Sequence, residues 1–281
     1  MRGGEIIMKL KKLLILCTAA ALVLPAGLAG CGDKDSEQTG SDHSEKDGNK
    51  DVDGKEDGDK DENALSDTIR WFNASYAILT ELNGWDYNIF AGLEPNFSVQ
   101  SGQKKSLEEW WGVTDRQTAD ETLDWILEEG HRLDFAANAS YLEECGMGEL
   151  AESDRLAFLL DNFDVTDEEA EGYISSYKMY EQFGAEAIDG WDYCRALNLM
   201  SFFYLAGYYT EEEALDKSLE IAVTLQEKFD SWDALVDSYL RGYEYWAEES
   251  SDERREVYED LKKRKDNPYS VDYDTALEKT W

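Results

Sequence analysis

The chain has 281 residues and is strongly acidic, with 63 Asp and Glu residues against 27 Lys and Arg residues and a formal net charge of −36. So acidic a chain is repelled by nucleic-acid phosphates and by anionic lipid headgroups, which excludes nucleic acid as a partner. The remaining partners are cations, a basic protein or an uncharged ligand, unless the charge only keeps an exposed domain soluble. The length allows one domain of ordinary size with additional segments.

Residues 1–30 are predicted to be a signal peptide of the lipoprotein type. Three lysines precede an apolar run over residues 13–24, which is too short to span a membrane. The run leads to Leu28-Ala29-Gly30-Cys31, which resembles the lipobox of bacterial lipoproteins, where the cysteine is lipidated and becomes the mature N-terminus. We therefore expect Cys31 to carry acyl chains such as palmitate and to anchor the protein on the extracytoplasmic face of the cell membrane.

The residues after Cys31 are predicted to form a disordered acidic tether that extends to residue 63. Residues 32–63 contain thirteen acidic residues and five lysines, and Val52 is their only aliphatic residue. Such a segment cannot bury enough apolar surface to offset the entropy of ordering.

Residues 64–265 are predicted to form an all-α domain, a bundle of about seven to nine helices. Apolar residues at alternating spacings of four and three indicate a first helix over Leu65 to Leu82. Capping boxes, in which Glu or Gln follows Ser or Thr by three residues, are expected to open later helices at Ser106, Thr114, Thr166, Thr210 and Ser250. Gly130 either ends the helix that begins near Thr114 or marks a close helix contact inside it.

Two segments are predicted to lack regular helix. Gly92, Pro95 and Gly102 interrupt residues 85–105, for which we expect a structured loop. Asn267-Pro268 stops the last helix, and residues 266–281 are expected to be a loosely packed tail.

The densest aromatic content lies between Trp191 and Trp246, where the sequence predicts three consecutive helices. The third carries a stripe of large residues at helical spacing from Trp232 to Trp246. This stripe is typical of a core-facing helix, and a sugar-stacking platform is the alternative.

Cysteine usage in the predicted domain is limited to Cys145 and Cys194. Outside the cytoplasm the two residues could form one disulfide, and two separate buried thiols are the alternative.

His131 is the one histidine of the predicted domain and the only candidate for a catalytic residue. It would act as a general acid or base with a pKa set by neighbouring carboxylates. A half-buried helical histidine bonded to a carbonyl or carboxylate is the structural alternative, and no motif nearby indicates a nucleophile.

Asp192 and Arg195 lie three residues apart and therefore on one helical face. We predict that they form one polar cluster between helices together with His131 and Arg132. The acidic runs at residues 167–169 and 211–213 are typical of solvated first turns, and the tether does not match a calcium-binding loop, so neither a metal nor a cofactor is predicted.

A set of short motifs resembles one bacterial family. The motifs occur in this order: Trp111-Gly112-Val113, Gly130-His131-Arg132, Trp191-Asp192-x-x-Arg195, Gly207-Tyr208 leading into Thr210-Glu211-Glu212-Glu213-Ala214, Phe229-x-Ser231-Trp232, and Tyr239-x-x-Gly242-x-x-x-Trp246. Over residues 69–246 they are similar to the domain of unknown function 1266. The resemblance implies a helical fold and implies no activity.

These patterns favour a membrane-anchored extracytoplasmic lipoprotein that presents an acidic helical domain to a partner. Two alternatives remain at this point: a hydrolase-like enzyme that uses His131, and an immunity-type protein that binds a basic toxin.

Overall fold

Helices account for all the regular secondary structure in residues 65–281, the part of the chain that the computed structural model describes. The α-helices are α1 (Asp67–Ser75), α2 (Ala77–Leu82), α3 (Phe97–Trp111), α4 (Arg116–Glu128), α5 (Gly130–Glu144), α6 (Arg155–Asn162), α7 (Asp167–Phe183), α8 (Asp189–Leu205), α9 (Glu211–Gln226), α10 (Trp232–Ala247) and α11 (Asp252–Leu261). The all-α prediction is confirmed. The predicted signal peptide (1–30) and tether (31–63) lie outside the described residues.

Two of the predicted helices are each divided by a kink. The first helix is α1 and α2, separated at Tyr76, and the helix expected from Thr114 is α4 and α5, separated by Glu129. Gly130 begins α5 with a φ of +60°, a conformation that glycine adopts without steric cost. Counting each kinked pair as one gives nine helices in the described residues, which agrees with the predicted number.

The predicted loop over residues 85–105 is wrong from residue 97 onwards, where α3 begins. Asn96 caps this helix, because its side-chain oxygen accepts from the backbone N–H groups of Ser98 and Val99 at 2.9 and 3.1 Å. Gly102 lies inside α3 with nothing within 4 Å of the position of a Cβ atom, so it weakens the helix without breaking it. Ser106 lies in the middle of α3 and does not open a helix.

α8 is the central helix, and α3, α4, α5, α9 and α10 all pack against it. Thirteen of its 17 residues are buried, which is typical of a helix surrounded by others. The Trp191 ring lies 5.3 Å from the Tyr239 ring and 5.6 Å from the Trp246 ring. The aromatic stripe of α10 therefore packs on α8 and belongs to the core.

The C-terminal segment also belongs to the core, so the loosely packed tail expected over residues 266–281 is wrong. Val271 and Tyr273 are 3% and 6% exposed. The indole N–H of Trp71 donates to the Tyr273 carbonyl at 3.0 Å, and that of Trp232 donates to the Val271 carbonyl at 2.9 Å. The segment is held because its apolar side chains and carbonyls complete the surroundings of two buried tryptophans.

The two cysteines of the described residues are free thiols. Cys194 is buried in α8, and Cys145 is half-buried directly after α5. They do not form the disulfide that was one of the two alternatives. Between residues 65 and 281, no helix has both the length and the apolar character needed to cross a membrane.

The contact between α8 and α10 leads to a prediction about Gly242. A Cβ atom at this position would collide with the Cβ of Trp191. We expect Gly242→Ala to lower the free energy of unfolding by about 1–3 kcal/mol, the usual cost of overpacking. Urea denaturation followed by circular dichroism measures the change.

Gly102→Ala is the matched control, because the added methyl group has open space and the helix gains alanine's higher propensity. It should raise the free energy of unfolding by about 0.5–1 kcal/mol. Equal effects of the two substitutions would contradict this account of the α8–α10 contact.

Candidate functional site

The first turns of α5 and α8 meet and bring His131, Arg132, Asp192 and Arg195 together; we call these four residues the polar cluster. The Asp192 side chain lies at its centre and is fully buried. One carboxylate oxygen accepts the backbone N–H of Arg132 at 2.9 Å, and the other accepts Nη2 of Arg195 at 2.6 Å. The structure thus brings the four predicted cluster residues together, with His131, Arg132 and Arg195 each beside Asp192.

Gly130 allows the start of α5 to approach this carboxylate. A Cβ atom there would collide with Oδ2 of Asp192 and with Nη1 of Arg132. Glycine therefore leaves the space in which the N-terminal end of α5 points its N–H groups at a negative charge, the arrangement that the helix dipole favours.

Arg132 connects the end of α4 to the cluster. Its guanidinium donates to the backbone carbonyls of Ile126, at 2.6 Å, and Leu127, and Nη1 lies 3.4 Å from Asp192. The last carbonyls of a helix have no partner inside the helix, so a cation placed there satisfies them. The same guanidinium lies 5.1 Å from the centre of the Tyr193 ring.

Arg195 fixes the other side of the carboxylate. Its Nη2 lies 2.9 Å from Nδ1 of His131, and its Nε donates to the Trp191 carbonyl at 3.3 Å. The guanidinium also lies 4.4 Å from the Trp191 ring centre, within the range of a cation–π contact. Burial lowers the pKa of Arg195, and the neighbouring Asp192 opposes this change.

His131 is a neutral hydrogen-bond acceptor in this arrangement. Arginine only donates, so Nδ1 accepts from Arg195 and the ring proton resides on Nε2. Burial lowers the pKa of His131, and the charge of Arg195 lowers it further. Asp192, which lies 3.7 Å from Nδ1, and Asp134 act in the opposite direction. Since its Nδ1 lone pair is used and these neighbours carry no hydroxyl or thiol, the geometry gives His131 a positioning role.

Asp192 remains ionised at neutral pH. Burial alone would raise its pKa, but the charge of Arg195 and the hydrogen bond from the N–H of Arg132 favour the carboxylate, and the pKa is lowered to about 2. One carboxylate thus faces two buried guanidinium groups. Breaking a buried pair by removing one partner typically costs about 3–5 kcal/mol, so the cluster holds α4, α5 and α8 in one arrangement.

A groove of about 490 Å³, which we call the α4–α9 groove, shares Tyr193 with the surroundings of the cluster, because the ring lines the groove and also lies 5.1 Å from the Arg132 guanidinium. It is lined by Asp120, Leu123, Asp124 and Leu127 of α4, by Lys217, Glu220, Ile221 and Thr224 of α9, and by Tyr193 and Tyr209. Sequence reasoning missed this groove. The sequence does contain one sign of the groove: the lining residues have the same spacing of 0, 3, 4 and 7 positions on α4 and on α9. That the two rows face the same space follows only from how the helices pack.

Within the described residues no group of three or more His, Cys, Asp or Glu side chains is arranged to hold a metal ion. The model of one protein family, described as protein of unknown function (DUF1266), matches residues 106–273. The match begins and ends later than the resemblance over 69–246 and includes the polar cluster and the α4–α9 groove. No curated protein and no solved structure matches the chain.

The environment of His131 predicts a pH dependence of stability. Its pKa in the folded protein lies below the unfolded value of about 6.5, so its stabilising contribution is present above that pH and is lost as the pH falls. We expect the free energy of unfolding of the wild type to decrease below about pH 6.5 relative to His131→Gln. Glutamine does not titrate, and its carbonyl oxygen can accept from Arg195.

Urea denaturation at a series of pH values between 5 and 8 measures both proteins under the same conditions. Asp134 has a raised pKa, chiefly because of burial, and is present in both proteins. Because the charge of His131 acts on Asp134, the difference between the profiles reports His131 together with its coupling to Asp134. Parallel pH profiles would show that His131 is not held neutral by the cluster.

Proposed function

The chain belongs to the DUF1266 family, and we propose that this member is a lipid-anchored protein whose acidic helical domain binds a cationic partner outside the cytoplasm. The observation that carries the binding role is the distribution of charge. Most basic side chains of residues 65–281 already pair with carboxylates of the same domain, as in Arg155–Glu181, Arg255–Asp237 and Arg264–Glu81. Many exposed carboxylates of this part of the chain have no counter-ion among residues 65–281.

Acidic residues are grouped where two of the helices begin. The first turns of α7 and α9 each carry three consecutive acidic residues, at 167–169 and 211–213. One member of each group closes a capping box. On α9, Glu212 also pairs with Lys279 and Glu213 with Arg116. Asp167, Glu168 and Glu211 extend into solvent. Such a surface attracts cations over several ångströms and selects against acidic partners.

The anchor is supported by the sequence around Cys31. Two or more acyl chains, at about 0.8 kcal/mol per buried CH₂ group, give stable attachment, whereas one chain is marginal. A flexible segment of the length of residues 32–63 has a root-mean-square span of roughly 30 Å, which would place the acidic domain beyond the lipid headgroups.

Binding of a basic toxin, one of the alternatives from the sequence, is a form of this proposal.

A hydrolase that uses His131 is the less favoured function. Arg195 occupies the Nδ1 lone pair, and burial lowers the pKa of the ring. The polar groups that face it, Asp192, Arg195 and Asp134, offer no hydroxyl or thiol nucleophile.

The anchor is tested by metabolic labelling with an alkyne analogue of palmitate, followed by fractionation. We expect the wild-type protein to carry the label and to sediment with membranes, because the thiol of Cys31 is the predicted acylation site. Cys31→Ser should abolish labelling. Cys17→Ser, a control in the predicted leader, should leave labelling intact. An unlabelled wild-type protein in the cytosol with its leader uncut would overturn the anchor.

The binding role is tested by using the immobilised protein to capture partners from cell envelopes, without cross-linking, at two salt concentrations. We expect a basic protein to be retained at about 0.1 M salt and released near 1 M, because the Debye length falls from about 10 Å to about 3 Å. Isoelectric focusing of the released fraction checks that the captured protein is basic. Capture that does not respond to salt would contradict charge-driven binding.

A further inference from the structure

We propose that the α4–α9 groove is the docking site for a short basic amphipathic helix of a partner protein. This inference rests on the function proposed above and assigns the binding to one surface. The groove has the size of an ordinary ligand pocket, which is about 300–1,000 Å³.

The base of the groove is apolar. Leu123 and Ile221 are buried at its floor, and Leu127 and the Tyr193 ring continue the apolar surface. This surface would receive the apolar face of a peptide, because removing such side chains from water is favourable.

The rim of the groove is acidic. Asp120 and Asp124 line it on α4, and Glu220 lines it on α9. Lys217 is the one cation among the lining residues, and Arg116 pairs with Asp120 from outside them. Asp124 is exposed and makes no ion pair with another residue between 65 and 281. Lys217 pairs with Glu220 at 2.8 Å, but both side chains are about half exposed or more, so the pair contributes little and an incoming cation can replace it.

Arg116 shows within the chain how this wall binds a cation. Its guanidinium lies 3.6 Å from the centre of the Tyr209 ring, and it contacts Asp120 at 3.0 Å and Glu213 at 3.2 Å. A carboxylate beside an aromatic ring therefore already holds one guanidinium at this end of the groove. The open part of the groove, towards Leu127 and Thr224, offers carboxylates without such an arginine.

The spacing of the lining residues fixes the length of the occupant. On each helix they span seven positions, which at 1.5 Å per residue is about 10 Å, or two helical turns. A two-turn amphipathic helix presents apolar residues at the same spacing to the floor and lysines or arginines to both rims.

The acidic rim favours a basic helix of a partner over occupants that this chain itself could supply. A second copy of the acidic domain would bring like charge to the rim, and residues 32–63 carry thirteen acidic residues against five lysines. Both are repelled by the rim carboxylates.

The test uses the lipidated full-length protein in phosphatidylcholine vesicles, which carry no net charge. The probe is a fluorescent peptide of about twelve residues with leucine at positions 0, 3, 4 and 7 of its helix and lysine at most others. A peptide of the same composition with the leucines scattered is the control probe. Fluorescence anisotropy measures the dissociation constants at low salt.

We expect Asp124→Lys to weaken binding of the amphipathic probe by about tenfold or more, because it reverses a charge at the rim. Glu171→Lys is the matched control: Glu171 is an exposed residue of α7 outside the groove, and the same charge change there should weaken binding less than about twofold. Asp124→Glu should bind like the wild type, and unchanged melting temperatures verify that the variants fold.

Equal weakening by Asp124→Lys and Glu171→Lys, or equal affinity for the two probes, would contradict the groove as the docking site. Charge-driven binding would still stand. If neither probe binds the wild type, the groove is not the docking site for such a helix. The capture experiment at two salt concentrations then decides separately whether the proposed function stands.

Discussion

One buried carboxylate determines how the central helices are arranged. Asp192 lies on α8, accepts the backbone N–H of Arg132 in the first turn of α5, and holds two guanidinium groups. Arg132 in turn satisfies the last carbonyls of α4. The direction of α4 relative to α8 therefore depends on an ion cluster in addition to apolar packing, and Gly130 is the residue that gives the cluster its space.

The α4–α9 groove follows from this constraint. α4 and α9 both pack on α8, and the groove occupies the space between them. Tyr193 connects the two features, because its ring forms part of the groove lining and contacts the Arg132 guanidinium. A change in the cluster would thus move one wall of the groove, even though no cluster residue lines it.

The sequence was informative where local chemistry decides the structure. The capping boxes at Thr166 and Thr210 form as their residue types indicate, and the spacing of Asp192 and Arg195 places both on one face of α8. The start of α3 is also decided locally, by the Asn96 cap, but Gly102 made this stretch look irregular. Local signals failed at the C-terminal segment because tertiary contacts decide there: Tyr273 is buried against two tryptophans of distant helices.

The burial of Arg132 and Arg195 has a consequence for recognition. Both guanidiniums count in the net charge and in its long-range field, but at contact distance they are occupied by Asp192 and by backbone carbonyls. They therefore do not compete with a partner for the surface carboxylates. At the proposed docking site, a partner's lysine would meet Asp124, which pairs with no cation of residues 65–281. At Glu220 it would displace only the half-exposed Lys217. Specificity for a basic helix then depends on the apolar floor of the groove. Any cation can pair with the rim carboxylates. Only a peptide with apolar side chains at matching spacing also covers the leucines and Ile221.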